Sequence, residues 1–381
     1  MRVKRMAENK IRLSKSVVRT EEAKALSRVI LEDGYLGMGK EVRLFEQELQ
    51  QFLQTDRQVT CVNSGTAALH LAVMAVVKPG EEVLVQSLTF LASFQAISAG
   101  GAVPIPCEVD PETITIDLKY AQRRLSKRTR AIMPVHYASN VGNLDAVYDF
   151  ANRYNLRIIE DAAHAFGSVY KGKPVGTFGD IACFSFDGIK NITSGEGGAV
   201  VTSDEKVAQF VKDARLLGIH RDTEKRYKGQ RSWEFDVSHQ GYRYHMSNLF
   251  AAIGRVQLKR FPEFRRIRQG LAKRYCEKLK DAPYIGLLNR NYDEIVPHIF
   301  PVKILNRRRD ELREYLLSKN IECGIHYYPN HLLSFYGNRK GELPVTEKLY
   351  NQLLTLPLHP DLTEEDQNRV IYEVKNFFNG S

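Results

Sequence analysis

Short apolar runs, bounded by glycine, proline and polar clusters, alternate with segments of helical periodicity through the middle of the chain. Residues 59–62, 82–85, 103–107, 131–135, 157–160, 181–186 and 199–202 read as strands, because runs of apolar and β-branched residues without strict alternation suit strands covered on both faces. Between them, residues 66–77, 90–99, 144–154 and 205–217 repeat apolar positions at spacings of three and four and read as helices. The alternation predicts an α/β fold with a mostly parallel seven-stranded sheet flanked by helices. In such sheets the chemistry collects at the carboxyl ends of the strands.

After Gly254 the texture changes. Leu258, Phe261, Phe264, Ile267, Leu271, Tyr275 and Leu279 mark one face of a long helix, which Pro262 is expected to interrupt. Residues 294–305 then read as a strand, 309–318 as a helix and 321–325 as a strand. Thr363-Glu-Glu-Asp366 is a capping box that opens a last helix carrying Val370, Ile371, Val374 and Phe377 on one face. The expected division is a large domain over residues 1–255, whose first ~30 residues can pack on the other unit, and a smaller α+β domain over residues 256–381.

Composition narrows the class. Hydrophobic residues make up 43% and charged residues 26% of 381, and no apolar run approaches the roughly 18 residues of a membrane helix. The start, Met1-Arg2-Val3-Lys4-Arg5, leads into Ala7-Glu8-Asn9-Lys10 and not into an apolar stretch, so it does not read as a secretory signal. Five cysteines, Cys61, Cys107, Cys183, Cys276 and Cys323, are scattered and odd in number, which argues against a disulfide framework or a zinc site and for a reducing cytoplasm. The net charge of +10 owes much to residues 255–280, where the basic residues fall on the polar face of the long helix. A solvated face explains them better than a nucleic-acid groove, and the field they create attracts anionic metabolites.

Candidate chemistry is concentrated at three predicted strand ends. Asn63-Ser64-Gly65-Thr66-Ala67 joins a strand to a helix, so the backbone N–H groups of Gly65, Thr66 and Ala67 and the Thr66 hydroxyl make a phosphate cradle, although the same residues also serve as a plain helix cap. Asp161 ends the strand at 157–160 and is followed at a distance of 29 residues by Lys190, with Ser185 at the end of the intervening strand. An acid and an amine so placed suit pyridoxal 5'-phosphate, which needs a carboxylate to keep its ring nitrogen protonated and an amine to hold its aldehyde as a Schiff base. Gly195-Glu196-Gly197-Gly198 supplies a backbone able to bend sharply beside that site.

These segments resemble the DegT/DnrJ/EryC1 group of pyridoxal-phosphate-dependent sugar aminotransferases, of the fold type I aspartate aminotransferase architecture. The resemblance spans nearly the whole chain: Gly34 to Val42 with Phe45-Glu46, Asn63 to Leu69, Thr89-Phe90, Glu160 to Ala165, Phe184 to Phe186 with Lys190, Gly195 to Gly198, and Met246 with Ala251 to Gly254. It implies that Lys190 carries the cofactor and shuttles the proton, that Asp161 pairs with the ring nitrogen, and that Phe90 stacks on the ring or is a core aromatic. It also implies that Gly65, Thr66, Ala67 and Ser185 hold the phosphate. His164, where relatives commonly have glutamine, then places a donor near the ring oxygen or is a buried histidine satisfied by backbone.

Arg243 stands where relatives commonly have an asparagine that reaches the phosphate across a dimer interface; it makes that contact or faces substrate instead. His326, Tyr327 and His331, in Gly324 to His331, contact sugar or pyrophosphate or pack a rigid turn. The activity implied is transfer of an amino group from an amino acid, L-glutamate, to a nucleotide-linked ketosugar by a homodimer, with pyridoxamine 5'-phosphate between the two halves. Relatives with histidine in place of the lysine act as dehydratases, and Lys190 favours transamination; a basic regulatory protein without activity is the other alternative.

Overall fold

The computed structural model describes residues 10–379; residues 1–9, on which the reading of the leader rests, and residues 380–381 lie outside the described residues. Seven strands make the main sheet. They are β1 (Gln58–Val62), β2 (Glu82–Gln86), β3 (Val103–Cys107), β4 (Thr129–Met133), β5 (Arg157–Asp161) and, beyond a two-residue hairpin of β6 (Val169–Tyr170) and β7 (Lys173–Pro174), β8 (Ile181–Ser185) and β9 (Gly198–Thr202). Their spatial order is β1-β9-β8-β5-β4-β2-β3, and β9 alone runs against the rest, pairing antiparallel with both β1 and β8. The other neighbours pair in parallel, so six carboxyl ends open on one side.

Helices cover both faces because both faces are apolar. In β2, Val83 and Val85 point to one core and Leu84 to the other, the period-two consequence of a strand with no wet side. The helices are α1 (Thr20–Arg28), α2 (Lys40–Phe52), α3 (Gly65–Val76), α4 (Leu91–Ala99), α5 (Leu118–Arg123), α6 (Leu144–Tyr154), α7 (Glu205–Ala214), α8 (Asp222–Tyr227) and α9 (Asn248–Leu279). Leu71 and Val73 of α3, Phe94 and Ile97 of α4 and Val211 of α7 fill the core under Val83 and Val85. Phe45 of α2 and Phe261 and Phe264 of α9 meet Phe166, Phe184 and Phe186 in a second core. Each such fully buried side chain contributes roughly 1.5–3 kcal/mol.

A second sheet, β10 (Ile285–Leu287), β11 (Phe300–Ile304) and β12 (Leu353–Leu356), is antiparallel and packs with α10 (Arg309–Ser318), α11 (Pro344–Gln352), α12 (Glu364–Asn379) and the far half of α9. Ile11 bridges Ile321, and Leu13 accepts from Leu358 N–H, so the first described residues lie on this smaller layer. The capping box of the last helix forms, with Asp366 N–H donating to Thr363 Oγ1 at 3.0 Å.

Several expectations change. Helix α9 runs unbroken through Pro262, since flanking Phe261 and Phe264 are buried and that packing offsets the roughly 3 kcal/mol cost of an interior proline. Its basic residues do not simply face water: Arg255 pairs with Glu41 and Glu48, Arg260 pairs with Glu22, and Arg268 is buried outright. Of residues 294–305 only Phe300–Ile304 is strand. The stretch before it bonds to side chains of the large layer, with Val296 N–H on Ser168 Oγ and His298 N–H on Ser139 Oγ. Residues 321–325 make two isolated bridges in place of a strand. Among the described residues no helix is long and apolar enough to cross a membrane.

Candidate active site

The site is assembled at the carboxyl ends of β1, β5 and β8. After β1 the chain turns into α3, capped by Ser64, whose Oγ accepts from Ala67 N–H at 3.0 Å. Helix geometry leaves the Gly65 and Thr66 N–H groups without intrahelical acceptors, and no acidic residue occupies the first turn to neutralise them. The tip is pressed against β8: a Cβ on Gly65 would lie 2.7 Å from Ser185 Cβ and 3.0 Å from Ser185 Oγ. Only glycine allows that approach. Ala67, by contrast, is buried, with its N–H donating to the cap, so of the four residues expected at a phosphate the cavity is lined by Gly65, Thr66 and Ser185.

Asp161 closes β5 and is buried. Its Oδ2 accepts from Ser93 Oγ at 2.7 Å and its Oδ1 from Ala163 N–H at 3.2 Å, while Ser93 is itself 2.9 Å from Thr89 Oγ1. No lysine, arginine or histidine among the described residues forms an ion pair with it. A buried carboxylate that is hydrogen-bonded but lacks a cation is a site completed by a positively charged N–H group. The exposed ring of Phe90, 56% accessible, stands at the start of α4 with its centroid 5.5 Å from that of Tyr327. An aromatic left that open beside a cavity offers its face to a flat ligand.

Lys190 follows β8 through a turn in which its N–H donates to Asp187 O. Its Nζ lies 3.4 Å from Nε2 of His298. Burial pushes the amine down to about 8, against the pull of Asp161 and Asp187, so the neutral base is far more accessible near neutral pH than for an ordinary lysine. His164 Nδ1 accepts from Ala138 N–H at 3.3 Å, which puts the ring proton on Nε2, where it meets the Tyr327 hydroxyl at 2.9 Å. Both nitrogens being engaged, the group that this corner presents to the cavity is the Tyr327 hydroxyl. Burial, then the Lys190 charge, holds His164 well below its usual range; burial and the same charge hold His326 at about 4. His326 is tied through Nδ1 to Thr355 Oγ1 at 2.8 Å.

These groups face one cavity of about 380 Å³. It gathers Gly65, Thr66, Phe90, Asp161, His164, Ser185 and Lys190 of the residues expected from sequence, and His326 and Tyr327 besides. It does not gather Arg243, which is exposed on a stretch bridged to Leu216, nor His331, buried between Ser87 Oγ and Glu347. Three residues escaped the sequence reading: His298 and Tyr137, which line the cavity, and Ser93, behind Asp161. The spacing of Thr89 and Ser93, four apart at a helix start, was the only available signal; His298 sits in a segment with none.

The sequence profile of the DegT/DnrJ/EryC1/StrS aminotransferase family matches residues 17–375. An uncharacterized protein, MJ1066, of Methanocaldococcus jannaschii is 36% identical over 357 residues, covering 91% of this chain and 92% of its own. The spore coat polysaccharide biosynthesis protein SpsC of Bacillus subtilis is 32% identical over 364 residues, 92% of this chain and 93% of its own. Among solved structures, the aminotransferase TlmJ from Streptoalloteichus hindustanus superposes with a TM-score of 0.90 at 30% identity, over 97% of this chain and 99% of that one. Enzymes of that family depend on pyridoxal 5'-phosphate. The residues here fit it: a glycine-only cradle for a phosphate, an exposed aromatic face, a carboxylate lacking a cation and a buried amine share one cavity.

Proposed function

The chain belongs to the DegT/DnrJ/EryC1/StrS aminotransferase family, with pyridoxal 5'-phosphate as cofactor, and we propose that it moves an amino group from L-glutamate to a keto group of a nucleotide-linked keto-deoxysugar. The observation that carries this reading is the meeting, in one cavity, of a buried amine and a buried carboxylate neither of which forms an ion pair among the described residues. When bound, the cofactor supplies an electron sink that lets a proton leave the carbon bearing nitrogen. Asp161, kept in place by Ser93 and Ala163, would hold the ring nitrogen protonated. Phe90 would stack on the ring, and Gly65, Thr66 and Ser185 would hold the phosphate. Lys190 would hold the cofactor and, when free, its Nζ would take a proton from the substrate carbon and give it back, a double role that its lowering by burial to about 8 favours.

Lysine at 190, in place of histidine, supports transamination over loss of a hydroxyl. The relative named for spore coat polysaccharide supports an aminosugar destined for a surface polysaccharide or a glycosylated metabolite. Arg243, exposed and outside its own cavity, supports a homodimer in which this residue serves the partner's phosphate. The five unpaired cysteines support a cytoplasmic enzyme. The division into a cofactor unit, 1–255, and a smaller unit, 256–381, belongs to the same reading.

The test is an absorption spectrum of the purified protein before and after L-glutamate. Loss of a band near roughly 400 nm and growth of one near roughly 330 nm is expected, with the first restored by a nucleotide-linked ketosugar and an aminosugar released. A band indifferent to every amino acid donor would sink the proposal.

A further inference from the structure

We propose that His298 is a positioning residue that receives the Lys190 amine whenever that amine is free, and holds its lone pair toward the cavity. The proposal rests on the reading of Lys190 as the cofactor lysine. Three observations carry it. The first is contact: Nζ of Lys190 and Nε2 of His298 are 3.4 Å apart and both line the cavity. The second is that the ring has nothing else to hold. His298 is 3% exposed, and among the described residues its Nδ1 has no hydrogen-bond partner. A buried polar side chain with one nitrogen unsatisfied and the other aimed at an amine is costly unless that one contact matters.

The third observation is a shared frame. Arg268, 1% exposed and without an acidic partner among the described residues, donates Nη1 to the carbonyl oxygens of His298 at 3.3 Å, Pro297 at 3.4 Å and Leu358 at 3.4 Å. Its Nη2 donates to Lys190 O at 3.5 Å. One guanidinium therefore ties together the backbones of the histidine and the lysine. Ser139 Oγ accepts from His298 N–H at 3.1 Å, and the His164 ring packs against that of His298 with centroids 4.5 Å apart.

The chemistry explains why an imidazole serves here. Burial above all, and then Lys190, His164, Arg268 and His326, holds His298 well below its usual range and so neutral, while Asp161 and Asp187 pull on Lys190 and Glu196 also lines the cavity. A neutral Nε2 accepts an N–H from the amine and from the ammonium alike, so the contact persists as Lys190 gains and loses its proton. A carboxylate in the same place would pin lysine as ammonium and remove its function as a base. His298 itself neither gains nor loses a proton.

The experiment compares H298F, which keeps a ring but no acceptor, with H298Q, which keeps an acceptor. In apo-protein, Lys190 is acetylated competitively from about pH 6 to about pH 10 and read by mass spectrometry. An acceptor stabilises ammonium more than amine, so the midpoint falls by about 0.4–1 pH unit in H298F and stays put in H298Q. In holoenzyme, the glutamate half-reaction slows roughly 10- to 100-fold in H298F with little change in KM, and H298Q recovers most of it. Should H298F fail to fold, H298N, whose amide is too short to reach Nζ, takes its place. Unchanged midpoints and rates in both variants overturn the proposal. Borohydride-trapped cofactor on Lys190 separates the two readings: its absence from wild type refutes the role of Lys190, while the apo-protein midpoints still decide whether His298 holds the amine.

Discussion

Replacing Gly65 with alanine tests the phosphate cradle with the least chemical change. The new Cβ would stand 2.7 Å from Ser185 Cβ and 3.3 Å from Ser185 Cα, where carbon atoms rest at about 3.5–4.0 Å. Those atoms belong to a strand end and cannot swing aside, so the tip of α3 must lift by about 1 Å. Overpacking of this kind costs about 1–3 kcal/mol, partly returned by the better helix propensity of alanine. The larger effect is on the ligand. Moving the Gly65 and Thr66 N–H groups weakens at least one charge-assisted hydrogen bond, which is worth about 1.5–3 kcal/mol and corresponds to a roughly 10- to 150-fold rise in dissociation constant. Calorimetry with pyridoxamine 5'-phosphate, which forms no covalent bond to the protein, measures this directly. Pyridoxamine lacking the phosphate is the control and should bind wild type and variant alike. A change of less than about twofold for the phosphorylated ligand, in a variant that remains folded, would refute the cradle.

Further outcomes are expected at Lys190, Asp161 and Arg243. Lys190, whose amine sits near about 8 instead of its ordinary 10.5, penalises the folded apo-protein below about pH 8, and the penalty fades as pH rises from about 8 to about 10.5; urea unfolding of Lys190→Met should therefore show a stability gain over wild type at pH 7 that shrinks across that window. The same variant should yield no borohydride-trapped cofactor. Asp161→Ala should weaken cofactor binding and slow proton transfer, and Ser93→Ala should reproduce a milder form of both, since it removes only the 2.7 Å support of Oδ2; an unchanged rate in Asp161→Ala would assign the ring nitrogen to another group. If Arg243 serves the neighbouring subunit, Arg243→Ala should raise the cofactor dissociation constant, and mixing it with Lys190→Ala should rebuild about a quarter of the sites through heterodimers; no recovery on mixing would keep the residue within its own chain.

The sequence by itself determined the layered fold and the order of the chemical groups along it. Strands buried on both faces run apolar without alternation, and 83–85 or 181–184 announce this whatever surrounds them. Gly65, Asp161, Ser185 and Lys190 were legible for a related reason: each belongs to a strand end or the turn just past it, so local pattern already fixes where it lies. What only the tertiary structure decided are the contacts between groups far apart in the chain. His298 reaches Lys190 because residues 294–299 exchange a strand's hydrogen bonds for those of Ser139, Ser168 and Asn191, and no local periodicity encodes that exchange. Pro262 stays within a helix because Phe261 and Phe264 are held by partners distant in sequence. The Ser64 cap that takes the Ala67 N–H and the bridge that ties the Arg243 backbone to Leu216 are likewise visible only in the folded chain. Local propensity is written in neighbouring residues, whereas the energy of packing and of buried hydrogen bonds is settled only when distant segments meet.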